Sequence, residues 1–232
     1  MLAVRDIDGG YGEYRVLQGV DLHVNPGEVV ALLGPNGHGK TTLLRMISGL
    51  LAPTRGQILY RGEEIQTRNP SDIVKLGISH IPQGDMVFPQ MEVEANLLAG
   101  AYLRWRDRKE RMDYVLSSFP QLVDRLGVQA RVLSGGERRM LALARGMMNS
   151  PEILIVDEPS LGLAPIARDA VYELLGSIVA RGVAMLLVEE KSRYLRGLAD
   201  RIYVLESGRI VANGPTNEIL GDRATLLQAY LG

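Results

Sequence analysis

The sequence predicts an α/β fold with a mostly parallel sheet, an inserted helical subdomain and an antiparallel β region near the N-terminus. Apolar strands alternate with helical segments, which is typical of a parallel sheet that carries helices on both faces. From about Val93 to Asn149 the spacing of apolar residues is helical, with no strand pattern. Before this stretch, Gly and Pro divide the chain into short strands.

The individual elements follow from their sequence patterns in chain order. Those before the helical stretch are the strand "LQGVDLHV", the turn "NPGE", the buried strand "VVALLG", the helix "KTTLLRMISGLL", which stops at Pro53, and the strands "GQILYRG" and "GISHIPQ". Those after it are the strand "ILIVDEP", the helix "APIARDAVYELLGSIVARG", the strand "AMLLVEE", the hairpin "RIYVLESGRIVANG" and a helical tail. We therefore predict one domain over 1–232, in which 1–90 and 150–232 form a core and 91–149 forms the helical subdomain.

Bulk composition limits the classes of function. The chain has 232 residues, 46% of them hydrophobic, which suits one compact domain with a sizeable core. A formal net charge of −1 provides no general field that would attract nucleic acid or anionic lipid. The lack of cysteine excludes disulfides, thiolate metal sites and a cysteine nucleophile. No apolar run approaches the roughly 18 residues that span a bilayer, and the N-terminus has no signal-peptide pattern, so we expect a cytoplasmic chain.

A Gly-rich loop after the strand "VVALLG" has the pattern G-x-x-x-x-G-K-[ST] and opens a helix. We predict that it binds ATP through Gly34, Pro35, Asn36, Gly37, His38, Gly39, Lys40, Thr41 and Thr42. Its glycines let backbone N–H groups converge on phosphate oxygens. Lys40 supplies charge for the β- and γ-phosphates, the Thr41 hydroxyl ligates Mg²⁺, and Thr42 supports a phosphate from the helix start. The alternative to a phosphate loop is a chance Gly-rich turn. For His38 alone, which stands at a variable position of the pattern, we favour a solvated side chain over a contact with the ligand.

Two carboxylates end the apolar strand "ILIVDEP". Ligands of open α/β sheets bind at the carboxyl ends of the strands. We predict that Asp157 orients the Mg²⁺ shell and that Glu158 polarises the water that attacks the γ-phosphate. Adjacent strand residues face opposite sides, which allows two distinct roles. Alone the pair could cap a helix, but together with a phosphate loop it indicates nucleotide hydrolysis.

A third pattern, "LSGGE" at Leu133 to Glu137, completes a set that resembles the nucleotide-binding subunits of ABC transporters, which have a P-loop NTPase (RecA-like) fold. The resemblance covers essentially the whole chain. It is closest to the LivF-type subunits of branched-chain amino acid uptake systems, through "GAYLR", "EPSLGLAP" and the terminal "AYLG". It implies an ATPase that powers the uptake of small amino acids or related amides.

In that family two subunits enclose two ATP molecules head to tail, so that each ATP contacts the signature of the opposite subunit. The resemblance therefore assigns Ser134, Gly135 and Gly136 to a partner's ATP. These residues precede a helix, whose N-terminus favours phosphate. Arg138 and Arg139 stand where relatives often carry Gln, and we expect both on a solvated helix face. The methionines of this helix are expected in the core.

The resemblance also assigns residues outside these three patterns. Tyr11 corresponds to the aromatic that stacks on adenine, with Val16 beside the base, although by sequence alone it reads as a packed surface aromatic. Gln83 corresponds to the loop glutamine that contacts Mg²⁺ and the attacking water, and this loop leads into the helical insert. The predicted catalytic residues are thus Glu158, Gln83 and Lys40, and the predicted metal ligands are Thr41, Gln83 and Asp157.

Glu190, in "LLVEEKSRYL", falls where most members of the family place a His that contacts the γ-phosphate and where LivF-type members often have Gln. Both can donate a hydrogen bond, but an ionised Glu cannot. At about 4 Å from a phosphate charge the repulsion would be about 4 kcal/mol at an effective dielectric constant near 20. We expect Glu190 to be protonated, turned away or paired with a cation such as Lys191, and its site to be slow. Glu189 is expected to be a structural or solvated acid.

The resemblance implies several partners at the cytoplasmic face of the cell membrane. They are two membrane permease subunits, a second nucleotide-binding subunit (a LivG-like one or a second copy) and, indirectly, an extracytoplasmic solute-binding protein. No nucleic acid is expected. One alternative is an ATPase that acts on nucleic acid or ribosomes, supported only by the basic "LRWRDRKERM" around Trp105. A second alternative is a subunit that binds nucleotide, hydrolyses it weakly and acts mainly in assembly. Whether the solute is a branched-chain amino acid, urea or a short amide stays open.

Overall fold

The computed structural model describes residues 1–84 and 86–222. Its strands are β1 (Leu2–Tyr11), β2 (Tyr14–Val24), β3 (Val29–Leu33), β4 (Arg55–Tyr60), β5 (Glu63–Glu64), β6 (Ile78–Ile81), β7 (Ile153–Asp157), β8 (Ala184–Glu189), β9 (Arg201–Glu206) and β10 (Arg209–Pro215). Its α-helices are α1 (Lys40–Ile47), α2 (Pro70–Lys75), α3 (Val93–Gly100), α4 (Arg108–Ser118), α5 (Gly135–Met147), α6 (Pro165–Val179) and α7 (Thr216–Gly221). Short 3-10 helices cover Tyr102–Asp107, Pro120–Arg125, Ala130–Val132 and Ser192–Tyr194.

The first of two compact units comprises Met1–Leu76 and Ala184–Gly232. It contains an antiparallel sheet in the order β2-β1-β4-β5 and a second set of strands in the order β10-β9-β3-β8. Strand β3 runs parallel to both β8 and β9 and is buried along its whole length, which explains its continuous apolar sequence. Leu33, its last residue, pairs with Glu189 of β8. The phosphate loop, which follows β3, therefore begins next to the C-terminal end of β8.

The second compact unit is Gly77–Val183. Strands β6 and β7 pair in parallel, and the rest of the unit consists of α3 to α6 with the connecting 3-10 helices. Helix α5 buries a stripe at helical spacing, made of Met140, Leu143, Ala144 and Met147. The methionines of this helix are thus core residues, as the sequence predicts.

Several elements of the structure, among them β1, β5 and α2, are not among the sequence-based elements. Strand β1 was not predicted, because its charged and glycine residues hide its pattern; it pairs with both β2 and β4. The compact unit 77–183 is wider than the predicted helical subdomain 91–149, because it also contains β6, β7 and α6, and the subdomain stays a prediction. The terminal "AYLG" and most of the predicted tail lie outside the described residues. Within the described part of the chain, no helix is long and apolar enough to cross a membrane.

Candidate functional site

The phosphate loop connects β3 to α1, and its lysine points back into the loop. The Lys40 ammonium donates hydrogen bonds to the carbonyl oxygens of Gly34 at 2.8 Å and Pro35 at 3.0 Å. It also lies 3.4 Å from Oδ1 of Asn36. Lys40 is only 4% exposed, so its charge is held inside the curve of the loop. A buried cation surrounded by backbone dipoles suits an anionic ligand such as a phosphate chain.

Two glycines are required by the shape of this loop. A Cβ on Gly34 would collide with the carbonyl oxygen of Leu205, so no side chain fits there. Gly39 has φ +105°, in the left-handed region, and a Cβ there would lie 2.6 Å from Cδ2 of Leu17 and 3.2 Å from Cγ1 of Val16. Val16 therefore lies beside the loop.

The remaining loop side chains differ in exposure. Thr41 is half-buried and Thr42 is buried at the start of α1, next to the N–H groups of the first helical turn. His38, expected to be a solvated side chain, is half-buried and also has partners in the protein. Its Nδ1 accepts a hydrogen bond from the backbone N–H of Ser207 at 3.0 Å, and its carbonyl oxygen accepts one from Gly208. His38 thus fixes the loop to the β9–β10 turn.

The acidic pair lies at the end of β7 in the second unit. Asp157 is fully buried and Glu158 is 4% exposed. The Gln83 amide donates a hydrogen bond to Oε2 of Glu158, with 2.9 Å between Nε2 and Oε2. The structure thus brings together the predicted base and the predicted loop glutamine, which are 75 residues apart. Glu158 also has φ +45°, a left-handed conformation that costs a non-glycine residue about 1–3 kcal/mol and is commonest at functional sites.

The "LSGGE" residues form the N-terminus of α5. Ser134 is its N-cap: Oγ accepts from the Glu137 backbone N–H at 3.3 Å, and the Glu137 carboxylate accepts from the Ser134 N–H at 2.8 Å. This backbone hydrogen bond is the main reason that the pKa of Glu137 lies below its usual range. Ser134 is exposed, and because its Oγ acts as an acceptor in the cap, its O–H can still donate to a ligand. Gly136 packs against α6, where a Cβ would lie 2.8 Å from Cβ of Ala167.

The expectation that Arg139 lies on a solvated helix face is wrong, since this residue is 1% exposed. Its guanidinium donates a hydrogen bond to the carbonyl oxygen of Gly84 at 2.8 Å and lies 3.5 Å from that of Pro82. Arg138 is half-buried and donates to the carbonyl oxygen of Leu133 at 2.6 Å. The partners of Arg139 are carbonyl groups 55 and 57 residues away, which the helix sequence does not reveal.

Tyr11 ends β1 and is 42% exposed, so its side chain is not enclosed in the core. The Arg45 guanidinium lies 5.9 Å from the ring centroid and donates a hydrogen bond to the Tyr11 hydroxyl at 2.9 Å. Arg45 is a residue that the sequence reasoning missed. Its place in the last turn of α1, after a phosphate loop, is the signal that could have identified it.

Glu190 directly follows β8, and Glu189 before it is buried. Oε2 of Glu190 accepts a hydrogen bond from the side-chain amide of Asn36, at 3.0 Å from Nδ2. The pairing of Leu33 with Glu189 explains this contact, because it places the residues that follow both strands side by side. Asn36 lies 154 residues earlier and was not among the partners expected for Glu190.

The residues present fit Mg²⁺ bound together with phosphate. Among the described residues, no three or more His, Cys, Asp or Glu side chains form a metal cluster. Mg²⁺ does not need one, since it retains waters and uses one or two carboxylates with phosphate oxygens. The first unit offers an oxygen donor of this type in the half-buried hydroxyl of Thr41, and the second unit offers one in the buried carboxylate of Asp157.

Comparisons with known proteins identify the family of this chain. The model of the ABC transporter family matches residues 17–161. The chain is 40% identical to the high-affinity branched-chain amino acid transport ATP-binding protein BraG of Pseudomonas aeruginosa, over 100% of both chains. It is 37% identical to the probable branched-chain amino acid transport ATP-binding protein LivF of Archaeoglobus fulgidus, over 95% of this chain and 94% of that protein.

A crystal structure of a nucleotide-free ATP-binding cassette from an ABC transporter has a TM-score of 0.89 to this chain at 26% identity, covering 100% of this chain and 99% of the other. The predicted P-loop NTPase fold is therefore confirmed. From the matched family and the full-length relatives together, the chain belongs to the ATP-binding subunits of the ABC transporter family, which hydrolyse ATP.

Proposed function

We propose that this chain is the ATP-hydrolysing subunit of an importer for branched-chain amino acids or related small amino acids and amides. The observation that carries the proposal is the full-length similarity to BraG and LivF, whose names describe branched-chain amino acid transport. The subunit would act at the cytoplasmic face of the cell membrane, with two permease subunits and a second nucleotide-binding subunit. A solute-binding protein outside the membrane would deliver the solute.

The phosphate loop, residues 34–42, would hold the ATP phosphates. Lys40 is already placed among the loop carbonyl groups, and it would exchange these partners for β- and γ-phosphate oxygens. Tyr11 would stack on adenine, with Arg45 hydrogen-bonded to its hydroxyl and Val16 beside the base. Stacking requires only a π-face, so these contacts provide affinity with little base specificity.

Hydrolysis would depend on Glu158 and Gln83. In this step a water oxygen attacks the γ-phosphorus, the bond to the β-phosphate oxygen breaks, and the Glu158 carboxylate takes a proton from the water. The 2.9 Å hydrogen bond from Gln83 supports this assignment, because it fixes the orientation of the carboxylate. Thr41, Asp157 and Gln83 would hold Mg²⁺, which when bound neutralises charge on the phosphates.

The signature Ser134-Gly135-Gly136 would complete the ATP site of the opposite nucleotide-binding subunit. We expect Ser134→Arg to leave ATP binding to the separate chain unchanged, because the phosphate loop is untouched. Dimer-dependent hydrolysis should fall to background, since the arginine would fill the space that the partner's ATP needs. Phosphate release, measured beside equilibrium ATP binding, checks both parts.

The matched control is Ser71→Arg, which adds the same side chain at an exposed position of α2. Ser134→Arg also removes the cap hydroxyl, at a cost of about 1 kcal/mol, so thermal unfolding should be recorded for both variants. A normal hydrolysis rate in Ser134→Arg would argue against a signature that acts on the partner's ATP.

Glu190 would slow the site to which it belongs. Its hydrogen bond from Asn36 places an acceptor beside the phosphate loop, at a position where the family resemblance implies a donor. We expect Glu190→Gln and Glu190→His to raise the single-turnover rate roughly fivefold or more, which corresponds to relief of only part of the charge repulsion. Glu206→Gln, at the end of β9, is the control. Equal or lower rates in both Glu190 variants would refute this role.

A permease would contact the second unit near the loop that carries Gln83. Exposed apolar side chains follow this loop and continue into the helical segment: Met86, Phe88, Met91, Tyr102 and Trp105. Such residues favour a protein partner over water.

We propose that residues 91–149 form the helical part that contacts the permease. Residues 1–90 and 150–232 would form the ATP-binding core.

The solute can be identified in the source organism by deleting the gene and measuring uptake of labelled compounds. We expect the loss of leucine, isoleucine and valine uptake at low external concentration, restored by the wild-type gene. Loss of urea or acetamide uptake alone would place the solute in the amide class. Unchanged uptake of all these compounds, or loss of efflux, would contradict the proposal of an importer for this class.

A further inference from the structure

Arg139 of α5 contacts the backbone on both sides of Gln83. Its Nη1 donates a hydrogen bond to the Gly84 carbonyl oxygen at 2.8 Å and lies 3.5 Å from the Pro82 carbonyl oxygen. Gln83 itself is exposed, and its side chain reaches Glu158. A continuous path of contacts therefore runs from the signature helix through the loop backbone to the glutamate of the acidic pair.

A second arginine of the same helix holds the continuation of this loop. Arg145 donates a hydrogen bond to the Met86 carbonyl oxygen, and its guanidinium lies 5.0 Å from the centre of the Phe88 ring. Burial lowers the pKa of Arg145, although a guanidinium stays charged under all ordinary conditions. Two charged side chains from one helix thus fix the described residues of the segment 82–88 through carbonyl oxygens.

Burial of the Arg139 guanidinium requires compensation, because a charge inside a protein loses its hydration. An apolar or amide side chain would fill this place in the core without that loss. The guanidinium provides what those side chains lack, a charged donor on a rigid planar group, and its Nη1 approaches both carbonyl groups. The two carbonyl groups that it approaches flank Gln83, the residue that contacts the Glu158 carboxylate.

We propose that Arg139 is a positioning residue for ATP hydrolysis: it fixes the backbone around Gln83 and thereby holds the Gln83 amide on Glu158. This inference rests on the proposed roles of Gln83 and Glu158. It predicts a defect in the chemical step and not in nucleotide affinity, because Arg139 does not belong to the ATP-binding loop. It also predicts that the defect requires Gln83.

The test is a double-mutant cycle in the full chain, within the assembly in which the wild-type protein hydrolyses ATP. The variants are Arg139→Met, Gln83→Ala and the combination of the two. We expect Arg139→Met to lower the single-turnover rate roughly 10- to 100-fold, the cost of a small displacement near reacting groups. The ATP dissociation constant should stay within about twofold. In the Gln83→Ala background, Arg139→Met should lower the rate by less than about twofold, since coupled residues are not additive.

Two further variants separate positioning from general stability. Arg111→Met removes another partly buried arginine of the same unit, one that donates to the Met147 carbonyl oxygen and does not touch the loop. It should leave the hydrolysis rate unchanged. Arg139→Lys retains a charged donor group but loses the planar guanidinium geometry, so it should recover part of the rate. It also provides a variant that can be measured if Arg139→Met unfolds.

The possible outcomes distinguish this inference from the proposed function. If Gln83→Ala is impaired but Arg139→Met and Arg139→Lys are normal, the inference is wrong and the proposed function stands. An additive loss in the double variant, or an equal loss in Arg111→Met, also contradicts positioning through Gln83. If Gln83→Ala itself hydrolyses ATP at the wild-type rate, both the inference and the proposed role of Gln83 fail.

Discussion

Glu158→Gln should stop ATP turnover and leave ATP binding intact. The amide has the shape of the carboxylate and can still accept the hydrogen bond from Gln83, but it cannot take a proton from water. Loss of a general base typically lowers a rate by about 10²- to 10⁴-fold. Because the contacts to the partner's ATP remain, the variant should accumulate as an ATP-bound dimer. Phosphate release and the mass of the complex in solution, with and without ATP, measure the two effects.

The matched control for this variant is Glu152→Gln, which makes the same change just before β7 begins. It should hydrolyse ATP at the wild-type rate. If Glu158→Gln turned over ATP as fast as the wild type, Glu158 would not be the base, and the left-handed backbone at this residue would need another explanation.

Lys40→Ala should remove tight ATP binding. The ammonium group donates hydrogen bonds inside the loop, and a hydrogen bond that involves a charged group contributes about 1.5–3 kcal/mol. The loss of this free-energy contribution corresponds to an ATP affinity roughly 10- to 100-fold lower. Calorimetric titration with ATP measures the change, and titration with adenosine, which has no phosphate, should show little difference between variant and wild type.

Lys75→Ala controls for the loss of a lysine, because Lys75 lies on α2 in an exposed ion pair with Asp72. Its ATP affinity should match that of the wild type. A Lys40→Ala variant with wild-type affinity would contradict the assignment of 34–42 as the phosphate loop.

The features that the sequence predicts well are local. The buried strand β3, the loop after it and the start of α1 are adjacent in the chain, so one continuous pattern describes them. The apolar stripe of α5 is likewise set by spacing within one helix. The predicted family is confirmed for the same reason, since its three patterns are short and contiguous.

The features that the sequence does not reveal depend on distant partners. Arg139 looks like a surface residue until the carbonyl groups near Gln83 are placed beside it. The contact between Asn36 and Glu190 depends on the register of β3 with β8, which periodicity cannot define. His38 is held by a turn near the C-terminal end of the chain. In each case a polar side chain forms a hydrogen bond with a backbone group or a side chain that is distant in the sequence.

Whether hydrolysis at Glu158 drives solute uptake is tested most directly in the source organism. The strain that lacks the gene should be complemented with the wild-type gene or with Glu158→Gln, and the uptake of labelled leucine should be measured at equal amounts of membrane-associated protein. We expect the wild type to restore uptake and Glu158→Gln to leave it at the level of the deletion strain. Restoration of uptake by Glu158→Gln would contradict the account.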